Sequence, residues 1–332
     1  VLETAKVLRD HGLIVEDAVV VLNRGQGGEQ ALKANGIRLH SLCHISYLLD
    51  VLLSSSKISK EIKGEVETFV KKNQVYPPLH AGTTDSCLMS YESRFAESAN
   101  PNLKNLCRIM MSKRSNLCLA ADLKDTDEII RLVQAAGPHI VCLKTHLDFF
   151  SDEKDRSRFI ERLRDLSQKY DFLIFEDRKY ADIGATVVKQ YERVVNIADI
   201  VTLHGLPGPG VITGLKSIAK ESSSGLIVAE MSSEGNLASK EYAKECAKMA
   251  EDHLDFVLGL VSQSRLTNKI HISSKNDELS QKYVSPEEAV LHRKADVIIV
   301  GRGITSDSDR YVESAVLYKE RGWKAYERRI GK

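Results

Sequence analysis

No stretch of about 18 consecutive apolar residues occurs in this chain, so the sequence offers no membrane-spanning helix. A basic and then apolar leader is missing from its start as well, which leaves cytoplasmic residence as the expectation. Charge of one sign is also lacking: 47 Lys and Arg stand against 46 Asp and Glu, a net charge of +1. That balance sets up no global field for nucleic acid or an anionic membrane, and neither is expected as a partner. The six cysteines (Cys43, Cys87, Cys107, Cys118, Cys142, Cys246) form no CxxC pair and show no metal-ligand spacing. Several sit in apolar runs such as residues 116–121, as buried thiols of a reducing compartment do.

What is present is ordinary globular material. The chain has 332 residues, 42% hydrophobic and 28% charged, enough for two domains or for one barrel of about 250 residues with an appendage. It opens Val-Leu-Glu-Thr without a methionine, in what reads as mid-helix, so a fragment of a longer protein is expected.

From Val1 to about Ile62, helix-like and strand-like segments alternate: VLETAKVLRDHG, the apolar strand AVVVLNR, then GQGGEQALKANG, IRLHSL and the helix HISYLLDVLLSS. This is α/β material with two or three short strands, too few to close a sheet of its own. Residues 72–102 are rich in Pro, Ser, Thr, Asn and Gly without periodicity, which predicts a linker. The expected division is 1–70, a linker 71–100, and a second domain 101–332.

Beyond Ser115 the pattern becomes regular. Apolar strands are predicted at 116–122, 139–145, 172–177, 199–205, 225–231, 256–261, 269–273 and 296–303, most of them separated by amphipathic, helix-length stretches. Eight such units predict a (β/α)8 TIM barrel with a parallel sheet buried on both faces. A doubly wound open sheet is the alternative, but the Gly-rich turn usual after its first strand is absent from Asp122-Leu123-Lys124-Asp125.

Barrel sites lie at the C-terminal mouth of the strands, where this sequence repeatedly places polar residues. Asp122 follows the first predicted strand, Lys144 and His146 the second, His204 the fourth, Ser232 the fifth, and Gly301 and Arg302 the eighth. The densest stretch is DFLIFEDRKYADIGAT, residues 171–186, where a strand runs into Asp177, Lys179 and Asp182. Strand alternation predicts that Asp177 and Lys179 share a face, with Asp182 one turn later. Crowding like charges at a strand mouth is the habit of a site, although structural ion pairs gather charges too.

Val300-Gly301-Arg302-Gly303-Ile304 suits a phosphate, because glycines let backbone N–H groups approach an anion and a guanidinium grips its oxygens. Lys144 admits two roles: a Schiff-base amine in apolar surroundings, or an ammonium kept charged by Asp122, Asp177 and Asp182. His146 and His204 read as hydrogen-bonding residues, and no cofactor or metal is called for.

These residues resemble a known family. FEDRKYADIGAT is similar to the signature of orotidine 5′-phosphate decarboxylase, and LKTH (143–146), AEMSS (229–233), QKYVSPEE (281–288) and IIVGRG (298–303) follow in that family's order. The resemblance covers about residues 87–332. Residues 1 to about 62 resemble the C-terminal part of an orotate phosphoribosyltransferase, and that order of domains is the one bifunctional UMP synthases show.

The resemblance implies an activity and its residues. The C6 carboxylate of orotidine 5′-phosphate would be replaced by a proton, without metal or organic cofactor. Lys179 matches the family's proton donor, Asp177 would hold it and oppose the substrate carboxylate, and Lys144 and Asp182 would complete an alternating Lys-Asp-Lys-Asp set. Asp182 and Thr186 would reach the neighbouring subunit's site, which implies a homodimer. Asp122 and Lys144 would meet the ribose hydroxyls with His146 nearby, Ser232 the pyrimidine, and Gln281, Tyr283, Gly301 and Arg302 the phosphate.

Three departures accompany the match. Ala120 stands where the family usually has serine, and Ala185 where it usually has asparagine. The loop after the seventh strand, usually with Thr-Pro-Gly-Val, reads HISSKNDELSQKY and is shortened. The transferase family's diphosphate-binding motif lies upstream of VLET, so no phosphoribosyl transfer is expected from this chain. Three readings stay open: a decarboxylase, a degenerate relative that binds UMP-like nucleotides, and a Schiff-base lyase using Lys144.

Overall fold

The computed structural model describes residues 1–34, 36–72, 89–150, 152–233, 235–267, 270–274 and 285–332. The chain divides into two compact units, residues 1–83 and 84–332. In the first, the β-branched run after Asp17 forms β1 (Asp17–Asn23), which pairs in parallel with β2 (Arg38–His44). Helices Leu2–Asp10, Gly28–Ala34, Ile45–Ser54 and Lys60–Lys72 accompany this pair. A small core of Ala5, Leu32 and Ile37 holds one face, while Val19, Val21 and Leu42 remain exposed.

In the second unit, all eight predicted barrel strands form. They are β3 (Leu117–Ala120), β4 (Cys142–Thr145), β5 (Leu173–Tyr180), β6 (Ile200–His204), β7 (Ser224–Val228), β8 (Val257–Val261), β9 (Ile270–Ser274) and β10 (Val297–Val300). They close in sequence order, with β10 pairing in parallel to β3. Helices shield the strands from outside, as the apolar period of Thr126–Ala136 shows: Ile129, Ile130, Leu132, Val133 and Ala136 are all buried. Asp125 N-caps that helix by accepting from the Asp127 amide at 2.9 Å, so the turn after β3 carries a cap where a dinucleotide fold would carry glycines.

Residues 90–100 differ from the linker the composition suggested. The polar residues there are helix caps: Ser90 caps the helix Tyr91–Glu97, and Asn100, followed by Pro101 in the first turn, caps Pro101–Lys113. Tyr91 is wholly buried, stacked on Tyr326 at 3.9 Å, and its hydroxyl donates to the Asp296 carbonyl at 2.8 Å.

That contact leads to a charged hub beneath the barrel. The fully buried Asp296 carboxylate, at the N-terminal end of β10, accepts from Arg329 at 2.9 Å, Arg265 at 3.2 Å and the His271 amide at 3.0 Å. Arg94 from the helix Tyr91–Glu97 stands 3.3 Å away. Burial raises the pKa of this carboxyl, but the three guanidinium groups outweigh it and hold the group well below the usual carboxylate range. Among the described residues no helix is long and apolar enough to cross a membrane.

Candidate active site

The barrel's C-terminal mouth opens into a cavity of about 680 Å³. Asp122, Lys144, His146, Asp177, Lys179, Ser232, Gly301 and Arg302 all line it. Strand ends from β3, β4, β5, β7 and β10 therefore bring together residues up to 180 positions apart in sequence.

At its centre the charges alternate. Lys144 Nζ donates to Asp122 Oδ1 at 2.8 Å and lies 3.4 Å from Asp177 Oδ2, and Lys179 Nζ meets the same Asp177 oxygen at 2.8 Å. Lys144 is buried and the Asp177 side chain is only 12% exposed, whereas the Lys179 side chain is 36% exposed and lines the cavity. Burial alone would raise the Asp177 pKa, but Lys144 and Lys179, with the Thr202 hydroxyl, bring it down to about 2. For Lys144, burial pulls downward and the charges of Asp177 and Asp122 more than reverse it, leaving the ammonium harder to deprotonate than usual. An amine nucleophile must lose that proton, and the two flanking carboxylates oppose the loss, which disfavours the Schiff-base reading.

His146 completes the group. Lys144 also donates to its Nε2 at 3.0 Å, and the ring stacks on Phe149 with centroids 4.8 Å apart. Burial and the Lys144 charge lower its pKa. An ammonium can only donate, so Nε2 is the acceptor and the ring proton belongs on Nδ1. His204 is half-buried, and desolvation followed by the Lys179 charge lowers its pKa as well. No side-chain hydrogen bond of His204 is found among the described residues, so it lacks the partner expected for it.

Asp177 and Lys179 share the cavity face as alternation predicts, on a stretch of β5 that bulges. β5 and β6 pair at Phe175↔Ile200 and Glu176↔Val201 and resume only at Tyr180↔Leu203, so three residues of β5 oppose Thr202 alone. Lys179 takes up the extra length in a left-handed conformation, φ 55°, uncommon for a residue with a side chain. Phe175, Asp177 and Lys179 all line the cavity, so the alternation along β5 is kept through the bulge.

Asp182 does not join this cluster. Its Oδ1 accepts from the following Ile183 amide at 2.8 Å and its Oδ2 from Gln190 Nε2 at 3.3 Å. Within one chain the alternating set is Asp122, Lys144, Asp177, Lys179. Thr186, on the helix Gly184–Tyr191, is likewise outside the cavity wall. Gln281, Tyr283 and most of the loop before them lie outside the described residues.

Arg302 opens a short helix directly after β10, and Thr305 and Ser306 add hydroxyls to the same wall. Gly303 has a packing reason to be glycine: a Cβ there would run into the Tyr318 hydroxyl of the helix Tyr311–Arg329. Ala120 faces the cavity from β3.

Sequence reasoning missed three supporting groups. Thr202 stands beneath the Asp177–Lys179 pair. Glu176, buried behind β5, accepts from Thr145 Oγ1 at 3.0 Å and the Leu147 amide at 3.0 Å, which fixes the turn that carries His146. Burial pushes its pKa up to about 8, despite those two donors. Glu230 accepts from the amides of Gln263 at 2.7 Å and Ser264 at 3.0 Å, tying the ends of β7 and β8. The one available signal was parity: Thr202 is a polar residue in an apolar strand, two positions before His204. Among the described residues no group of three or more His, Cys, Asp or Glu is placed to hold a metal ion.

A closed parallel barrel with charged side chains converging on its C-terminal mouth is the frame of a (β/α)8 enzyme. Residues 115–315 match the orotidine 5′-phosphate decarboxylase / HUMPS family. The uridine 5′-monophosphate synthase of Bos taurus is 39% identical over 352 residues, a match spanning 99% of this chain and 72% of the bovine protein. The orotidine 5′-phosphate decarboxylase of Schizosaccharomyces pombe is 39% identical over 257 residues, 73% of this chain and 96% of that one. The orotidine 5′-monophosphate decarboxylase of Methanocaldococcus jannaschii, solved in complex with inhibitor BMP, shares the fold with a TM-score of 0.52 and 23% identity. That likeness covers 62% of this chain and 98% of the other. The chain belongs to the orotidine 5′-phosphate decarboxylase / HUMPS family.

Proposed function

We propose that the barrel decarboxylates orotidine 5′-phosphate to UMP and CO2, with Lys179 as the proton donor. The observation that carries this reading is the ammonium of Lys179, held 2.8 Å from a half-buried, ionised Asp177 on the wall of the cavity. The bond from C6 to the carboxylate breaks, CO2 leaves, and the electron pair stays on C6. Lys179 delivers a proton to that carbon and regains one from solvent. Asp177 opposes the departing carboxylate in the bound substrate and loses that opposition as CO2 forms, which favours the transition state over the ground state. Lys144 and Asp122 fix the partner charges around it and offer groups to the ribose hydroxyls, with His146 beside them. Arg302 and the Gly301 backbone hold the phosphate, with Gln281 and Tyr283 assigned to the same group, and Ser232 faces the pyrimidine.

The test is loss of the substrate's absorbance band when orotidine 5′-phosphate is incubated with the protein. Turnover is the expected result. Tight UMP binding with no CO2 release, from a folded protein at high concentration, would instead identify a nucleotide-binding relative.

The same reading includes a homodimer in which Asp182 and Thr186 serve the neighbouring subunit's site. Its support is the orientation of Asp182, whose carboxylate is held apart from its own chain's cluster by Ile183 and Gln190. Mixing Asp182→Ala with Asp177→Ala protein is expected to restore part of the activity, because one site of the heterodimer then carries both aspartates. A verified heterodimer with no recovery would reject the shared site. Residues 1–70 are assigned to the transferase-like segment and 101–332 to the decarboxylase. A cytoplasmic setting is supported by the free thiols of Cys43, Cys107, Cys118, Cys142 and Cys246.

A further inference from the structure

The β5 bulge leaves a gap in the ladder, and one side chain fills it. Between Glu176↔Val201 and Tyr180↔Leu203, Asp177, Arg178 and Lys179 face Thr202 without a regular backbone partner. Thr202 is 1% exposed. Its Oγ1 accepts from the Lys179 amide at 2.9 Å and donates to Asp177 Oδ1 at 2.8 Å. A hydroxyl has one proton to give and lone pairs to receive, so a single atom satisfies both contacts at once. The Lys179 backbone is in the left-handed region, φ 55°, a conformation that persists only when its surroundings hold it. Asp177 Oδ1, the oxygen turned away from both lysines, takes the Thr202 proton, while Oδ2 receives Lys144 and Lys179.

We propose that Thr202 is a positioning residue that sets the reacting pair, bridging the Lys179 backbone to the Asp177 carboxylate through one hydroxyl so that the Lys179 ammonium points at the substrate carbon. This rests on the reading of Asp177 and Lys179 as the reacting pair. Without the hydroxyl, the Lys179 amide loses its acceptor and the left-handed turn its anchor. Asp177 then keeps only its Oδ2 contacts with Lys144 and Lys179, and its Oδ1 loses its donor. Proton transfer depends on placement to a fraction of an ångström, so the effect falls on the chemical step rather than on substrate binding, which the remote phosphate and ribose contacts supply.

The experiment compares Thr202→Val, which keeps the branched shape and removes the hydroxyl, with Thr202→Ser, which keeps the hydroxyl. Thr202→Val is expected to lower kcat by roughly 10- to 100-fold with KM within about threefold, and Thr202→Ser to stay within about threefold of the parent protein. Amide hydrogen exchange at Lys179 should be at least about tenfold faster in Thr202→Val and unchanged in Thr202→Ser. The bridge is overturned if folded Thr202→Val keeps kcat within twofold, or if Thr202→Ser loses as much as Thr202→Val. It is equally overturned if Lys179 exchanges at the parent rate in Thr202→Val. Should Thr202→Val fail to fold, Thr202→Ala gives the same comparison with a smaller side chain. Because exchange at Lys179 needs no turnover, it tests the bridge even in a protein that proved inactive toward orotidine 5′-phosphate. An active parent with normal Thr202→Val kinetics would reject the bridge and leave the decarboxylase reading standing.

Discussion

Lys179→Ala is expected to lower kcat by roughly 10³-fold or more. Two effects are lost with one side chain: general acid catalysis, worth about 10² to 10⁴, and the fixed positive charge beside the developing carbanion. Water can enter the space left by a side chain that is already 36% exposed, but it is a far weaker acid than an ammonium and carries no charge to balance the carbanion. Asp177 would keep Lys144 at 3.4 Å, so the variant retains a partly neutralised carboxylate and is expected to fold. Lys179→Arg, which preserves the charge and gives up its proton much less readily, separates the two effects: its recovery over alanine measures the charge alone. Steady-state kinetics on the absorbance change provide the measurement. A Lys179→Ala protein with kcat within tenfold of the parent would assign the proton to another group.

Asp296→Asn is expected to produce the largest loss of stability, about 3 to 5 kcal/mol, with little effect on kcat in the protein that remains folded. The substitution preserves shape and removes the buried negative charge that Arg94, Arg265 and Arg329 approach. Like charges left together without water are strongly unfavourable, and breaking a buried pair from one side costs about that much. For a unit of this size the melting temperature should fall by roughly 10 °C. Linkage gives the pH dependence. Asp296 has a depressed pKa in the folded state, so its contribution is complete above the ordinary carboxylate range and fades as pH falls below it. The stability gap between parent and variant should therefore narrow in acid. A gap below 1 kcal/mol at neutral pH would show that the guanidinium groups find other acceptors. The kinetic expectation follows from position, since Asp296 immediately precedes β10 while the cavity wall is met at Ile299 and Gly301, near the strand's other end.

The barrel was legible because its strands are buried on both faces and read as unbroken apolar runs, from 117–120 to 297–300. Residues 90–100 were misread for the opposite reason. Ser90, Asn100 and Pro101 have the composition of a linker, yet the same residues start helices, and composition alone does not separate the two uses. Asp177 and Lys179 were found by their charge at a strand mouth, and with Phe175 they line the cavity at alternate positions as strand alternation predicts; the bulge and the left-handed Lys179 between them were not legible. Thr202, Glu176 and Glu230 escaped notice because their importance lies in their partners, which are 23 to 34 positions away. Nothing in a threonine within IVTLH announces that its hydroxyl meets two residues of another strand.

By itself, then, the sequence determined the eight-stranded α/β pattern, the end of the barrel at which the charges gather, and the family whose motifs it carries. These are matters of periodicity and local order, set by the spacing of apolar residues along one strand or helix. Tertiary structure alone decided which charges are neighbours. It joined Asp122 and Asp177 to Lys144, turned Asp182 away, and set three arginines around Asp296. Pairings of that kind depend on ring closure and on one bulge, and Coulomb energies change severalfold over the few ångströms that these features move a side chain.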